Sequence, residues 1–138
     1  MSQFEQLVRL RTWELDEKRR AMGALLAEEA ALHSEREGMA REMEMEKQAA
    51  GTSLDARLAL EGYMAHFKLR EKALADRIAA KQSEIDAANE EVLDAYQELR
   101  KAEAAQEQHA AREAERIARL EQMELDEIAL NIMKRREG

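Results

Sequence analysis

Residues 74–102 read LADRIAAKQSEIDAANEEVLDAYQELRKA, and their spacing decides the fold. Counted in sevens, Ile78, Ile85, Val92 and Leu99 share one position; Leu74, Lys81, Ala88, Ala95 and Ala102 share a second, three or four residues away. This is a heptad seam, with large branched residues at one site and mostly small ones at the other. The intervening residues are chiefly Asp, Glu, Lys, Arg, Gln and Ala, most of which favour helix and tolerate water. So narrow an apolar stripe is buried only against another helix. The rest of the chain must supply that cover.

Composition narrows the choice. The chain has 138 residues, no Pro, no Cys, five Gly and 38% charged residues. Without proline the strongest helix stop is missing, and the dominance of charge, Ala, Leu, Glu, Arg and Met is that of long helices, not of a globular α/β domain. The aromatic residues are only Phe4, Trp13, Tyr63, Phe67 and Tyr96, so no thick core is available. High charge also occurs in disordered chains, but the sustained seam argues against that. A net charge of −8 opposes a general nucleic-acid binder, which needs a basic stripe. No stretch approaches the ~18 apolar residues of a membrane span. The opening Met1-Ser2-Gln3-Phe4-Glu5 lacks the basic-then-apolar layout of a secretory signal, and the lack of cysteine fits a reducing compartment. The expectation is a soluble cytoplasmic protein.

A second seam occupies the N-terminal third. Phe4, Val8, Leu15, Met22, Leu25, Leu32, Met39 and Met43 fit one frame, interrupted by Arg11, Lys18, Glu29 and Arg36 and widened by Leu7, Leu10 and Leu26. Gly23 and Gly38 each cost a helix about 1 kcal/mol relative to Ala, but periodicity resumes after both. The break falls at Ala50-Gly51-Thr52-Ser53, where Gly51 can end a helix in the left-handed conformation. Thr52 and Asp55 have the spacing of an N-cap and its return partner. Gly62 leaves open a short separate helical turn over 54–61. If the chain reverses near residue 52, the numbers of facing residues add to roughly 104 and the two seams begin and end together.

The seam of the second helix stops where the first helix runs out. From Arg100 to Arg116 no large aliphatic or aromatic residue occurs, although Glu and Arg at helical spacing can support a solvated helix there. The expected fold is all-α: residues 1–138 form a single antiparallel two-helix coiled-coil hairpin with an overhanging C-terminal helix. Helix 1 covers about 3–48, a turn about 49–54 and helix 2 about 55–135, the last roughly 120 Å long. Past the polar run, Ile117, Leu120, Met123, Leu125, Ile128, Leu130, Ile132 and Met133 return. Leu125, Ile128 and Ile132 share one helical face. That patch is read as a docking tip for another protein, against the plainer alternatives of cover by a shifted first helix or of dimerisation. Lys134, Arg135 and Arg136 suit the negative end of the helix dipole.

No catalytic constellation is present. His33, His66 and His109 lie far apart without companions at metal-ligand spacing. There is no Gly-rich phosphate loop, no Gly-x-Ser-x-Gly and no Cys nucleophile, and the abundant carboxylates read as a solvated face. A two-helix hairpin lacks the concavity of a small-molecule pocket. The chain is not expected to be an enzyme or to hold a cofactor, a metal, a small-molecule substrate or nucleic acid.

Three segments carry a resemblance to a known family. They are Phe4-Glu-Gln-Leu7-Val-Arg9-Leu10-Arg11, followed by Glu17-Lys18-Arg19-Arg20; Gly62-Tyr63 with Phe67 and Glu71-Lys72-Ala73-Leu74; and Glu121-Gln122-Met123-Glu124-Leu125-Asp126-Glu127-Ile128-Ala129. Over nearly its whole length the chain resembles the flagellar export protein FliJ and related type III secretion stalk proteins. The resemblance implies a hairpin similar to the central shaft of the rotary ATP synthase. Such a hairpin inserts into the hexameric export ATPase, stimulates it, links it to the membrane export gate and handles export chaperones. By position, the ATPase-binding tip would comprise Leu7, Arg9, Arg11, Leu120, Met123, Leu125, Asp126, Glu127 and Ile128. Export-gate docking would map to Tyr63, Phe67 and Leu74. The implied location is the cytoplasm, at the inner face of the inner membrane at the flagellar base, with the free hairpin monomeric. The non-flagellar secretion stalk is the nearest variant. A homodimeric coiled-coil scaffold without an ATPase partner, or a holdase using Met39, Met43, Met45 and Met64, are the competing readings.

Overall fold

The computed structural model describes residues 2–137. They form two α-helices, α1 (Gln3–Ala50) and α2 (Leu54–Glu137), packed against each other, with no strand among the described residues. The fold is an all-α hairpin.

Local chemistry sets the helix ends. Ser2 caps α1: its Oγ accepts from the Glu5 amide at 3.1 Å, satisfying one of the first-turn N–H groups that no helical carbonyl reaches. Ala50 ends α1 because Gly51 follows with φ +58°, a conformation that glycine adopts without a Cβ penalty. The cap of α2 is Ser53, not the expected Thr52. Ser53 Oγ accepts from the Ala56 amide at 3.1 Å, and the Ser53 carbonyl accepts from the Arg57 amide. With Ser53 as cap, Asp55 falls one residue short of the return position of a capping box. It serves instead as an acid in the first turn of α2, where the dipole favours negative charge. Nothing separates 54–61 from the rest, and α2 is continuous through Gly62.

Contacts divide the chain into two units, residues 15–95 and residues 1–14 with 96–138. Within the first, Leu32, Met39, Leu74 and Ile78 form the core and Phe67 packs against it. Leu15 and Met43 are also buried, and Ile85, Ala88 and Val92 are half-buried. Heptad spacing puts these side chains on the inner stripes of both helices, and their burial is what holds the pair together. Antiparallel pairing shows in the ion pairs across the seam: Lys18–Glu91 at 3.3 Å, Glu28–Lys81 at 2.6 Å, Arg36–Glu71 at 3.3 Å and Glu35–Arg77 at 4.0 Å. The partners on α2 lie three to eight residues further along than reversal about residue 52 predicts, because the chain must cross the 8–10 Å between helix axes before α2 faces α1. Ala50 accordingly shares a hollow with Ala56 and Ala59.

Lys81 occupies a seam position, yet its charge is not stranded. The ammonium donates to Glu28 across the seam at 2.6 Å and to Glu84 one turn on at 2.8 Å. The hydrogen bond to Glu28, then that to Glu84, raise its pKa. The aliphatic stem thus lines the seam while the head reaches water.

In the second unit, Ala102 is buried and Leu7, Val8 and Leu99 are half-buried. Phe4 stacks on His109, with ring centroids 4.6 Å apart and planes at 26°. Arg11 donates to Glu14 at 2.9 Å; this bond, with the field of Glu14 and more weakly of Glu98, raises the Arg11 pKa. Cover over α2 ends here. Beyond Gln106 only Glu113 is partly sheltered, and every residue from Ala114 to Glu137 is exposed.

Candidate functional site

The uncovered length of α2 is the part of the molecule that most needs a partner. Ile117, Leu120, Met123, Leu125, Ile128, Leu130, Ile132 and Met133 are all between 47% and 66% exposed. At 100° per residue all but Met133, which lies between them, fall into two groups. Leu120, Met123 and Leu130 continue the line that the seam of α2 follows from Leu74 to Ala102. Ile117, Leu125, Ile128 and Ile132 lie somewhat under half a turn away. A helix with large apolar side chains on more than one face is suited to being surrounded.

Charge is banded along the same stretch. Arg116 pairs with Glu113 at 3.0 Å and Arg119 with Glu115 at 3.6 Å, each within one turn. Past them come Glu121, Glu124, Asp126 and Glu127, then Lys134, Arg135 and Arg136. Asp126 accepts a hydrogen bond from Gln122 at 3.0 Å. The side chains of Arg112, Arg116, Arg119 and Leu120 border a shallow hollow on this helix. Such hollows present charged rims and little enclosure, and among the described residues no cluster of His, Asp or Glu is arranged to hold a metal ion. What this surface can do is bind another macromolecule by apolar contact with charge-set register.

The residues expected to form one tip are divided by the structure into two places. Leu7 is half-buried and lines a hollow with Gln3, Phe4, Gln6 and Leu10. Arg9 borders another with Glu5, Val8 and Gln106, and Arg11 is held by Glu14. These three sit beside α2 near Glu98 and Gln106. Leu120, Met123, Leu125, Asp126, Glu127 and Ile128 begin fourteen residues past Gln106, about 21 Å further along the helix. They form a lone-helix site, and the α1 residues form a shoulder behind it.

The other expected site is partly closed. Tyr63 and Phe67 are half-buried at the hairpin edge, but Leu74 is 3% exposed and belongs to the core. No partner can touch Leu74 while the helices are paired. The Phe4–His109 stack has no signal in the sequence, because no spacing rule pairs residues 105 apart until the register is known. The exposure of Trp13, at 59%, escapes the sequence for the same reason.

No helix among the described residues is long and apolar enough to cross a membrane. A family model described as the flagellar FliJ protein matches residues 1–138, the entire chain. Comparisons with curated proteins and with solved structures found no match. An all-α hairpin with an exposed apolar end, matched throughout by that model, belongs to the flagellar FliJ family, a component of the flagellar protein export apparatus.

Proposed function

We propose that this chain is the stalk of the export ATPase, working as a single coiled-coil hairpin over residues 1–138 and doing no chemistry of its own. The observation that carries the reading is the bare length of α2 from Ala114 to Glu137 with its exposed apolar residues on more than one face. A hexameric ring offers apolar and polar groups on all sides of a central opening, which suits such a helix better than a single flat partner does. Leu120, Met123, Leu125 and Ile128 enter the ring, with Asp126 and Glu127 setting register against basic groups on its wall. Leu7, Arg9 and Arg11 form a shoulder that meets the rim. Tyr63 and Phe67, the latter packed against the core that contains Leu74, provide the export-gate contact. Export chaperones are further partners, and the protein works in the cytoplasm at the inner membrane, monomeric when dilute.

The test is ATP hydrolysis by the cognate export ATPase with the full chain, with residues 1–119, and with the Leu125→Asp/Ile128→Asp double variant. Stimulation by the full chain alone is expected. Because the substituted positions are exposed, helicity is retained in the double variant. Equal stimulation by all three proteins overturns the assignment of the tip.

A further inference from the structure

The same lone helix is complementary to itself. We propose that α2 pairs antiparallel with a second copy of this chain over residues 120–136, with Ile128 on the two-fold axis. Ile117, Leu125, Ile128 and Ile132 lie within a stripe roughly 80° wide, and all are exposed. Charge is polarised about Ile128: Glu121, Glu124, Asp126 and Glu127 precede it, and Lys134, Arg135 and Arg136 follow it. Among the described residues the last ion pairs on the helix are Arg116–Glu113 and Arg119–Glu115, and Glu121, Glu124, Glu127, Lys134, Arg135 and Arg136 make none with another described residue.

A two-fold axis through Ile128 sets each residue against the one equally far on its other side. Ile128 meets Ile128 of the second copy, Leu125 and Ile132 close over that contact, and Glu121 faces Arg135 of the second copy, twice by symmetry. Parallel pairing sets acid against acid and base against base, and is disfavoured. The contact spans about five turns and buries on the order of 800 Å², below the standard size of a stable complex, so the pairing is weak and concentration-dependent. On the stalk reading, pairing covers Leu125 and Ile128, two of the residues that enter the ring, and so competes with ring engagement. The pairing itself is independent of that reading.

The experiment uses the full chain without any ATPase, so that its failure leaves the stalk reading standing. Sedimentation velocity from about 5 to about 500 μM is expected to show a monomer–dimer equilibrium. Arg135→Glu with Arg136→Glu weakens it about tenfold or more, and adding Glu121→Arg and Leu120→Arg to that variant does so no further or restores it, whereas Glu121→Arg alone weakens it. The natural chain has no cysteine, so Ile128→Cys reports the axis directly: its disulfide with a second copy forms many times faster than that of Met133→Cys, which lies off the stripe. A monomer at every concentration, indifference to Arg135→Glu/Arg136→Glu, or equal cross-linking of the two cysteine variants each overturns the proposal.

Discussion

Leu74 and Leu125 offer a comparison in which the same atoms are removed from opposite environments. Leu74 is 3% exposed in the core with Leu32, Met39 and Ile78, and Leu125 is 61% exposed. Replacing leucine by alanine deletes three carbons, worth about 2.4 kcal/mol of transfer free energy when fully buried. A residual cavity adds to this, while a two-helix interface, open on both sides, relaxes and removes part of it. Leu74→Ala should therefore destabilise the hairpin by about 2.5–4 kcal/mol. Leu125→Ala loses little burial and gains slightly in helix propensity, so its change should lie within about 0.5 kcal/mol. Urea unfolding followed by far-ultraviolet circular dichroism measures both. Ile78→Val, expected to cost about 0.5–1.5 kcal/mol, keeps the comparison usable if Leu74→Ala leaves too little folded protein. In ATPase stimulation the order reverses: Leu125→Ala is impaired, and Leu74→Ala is not at temperatures where it remains folded. Equal destabilisation by the two alanine variants would refute the assignment of Leu74 to the core and Leu125 to a free surface.

Three further outcomes follow from the helix ends and the seam. Ser53→Ala should lower stability by about 1 kcal/mol, and Thr52→Ala by no more than a few tenths, since only Ser53 accepts a first-turn amide of α2; thermal melts distinguish them. Gly51→Ala should cost about 1 kcal/mol through backbone strain alone, because φ is +58° and a Cβ there meets nothing within 4 Å; unchanged stability would show that the left-handed turn is not needed. Lys81 has its pKa raised in the fold by Glu28 and Glu84. Its pairing therefore contributes fully below the unfolded value of about 10.4 and is lost as pH rises through the higher folded value. The difference in Tm between the natural chain and Lys81→Met should accordingly shift against the natural chain as pH passes from about 9 to about 11 or above, and a difference constant over that range would contradict the pairing.

Fold class was legible because helical periodicity is a local property. The repeat at Ile78, Ile85, Val92 and Leu99 requires a helix with one buried stripe, and the blank run from Arg100 to Arg116 marks where cover ends. Family membership was legible in short segments at the start, middle and end of the chain, and the family model matches the whole of it. The cap of α2 was misplaced by one residue because Thr52 and Ser53 are chemically equivalent candidates, and only the backbone path after Gly51 selects between them.

What the sequence determined by itself was therefore two amphipathic helices, a break near Gly51 and an apolar segment beyond a polar one. What the tertiary structure decided was register. It set Lys81 against Glu28, placed Phe4 on His109, buried Leu74 and left Leu125 bare. Every heptad looks much like the next, so sliding one helix past the other by a repeat preserves the pattern of apolar residues. Only the crossing geometry at the turn and the full set of side-chain contacts select one alignment.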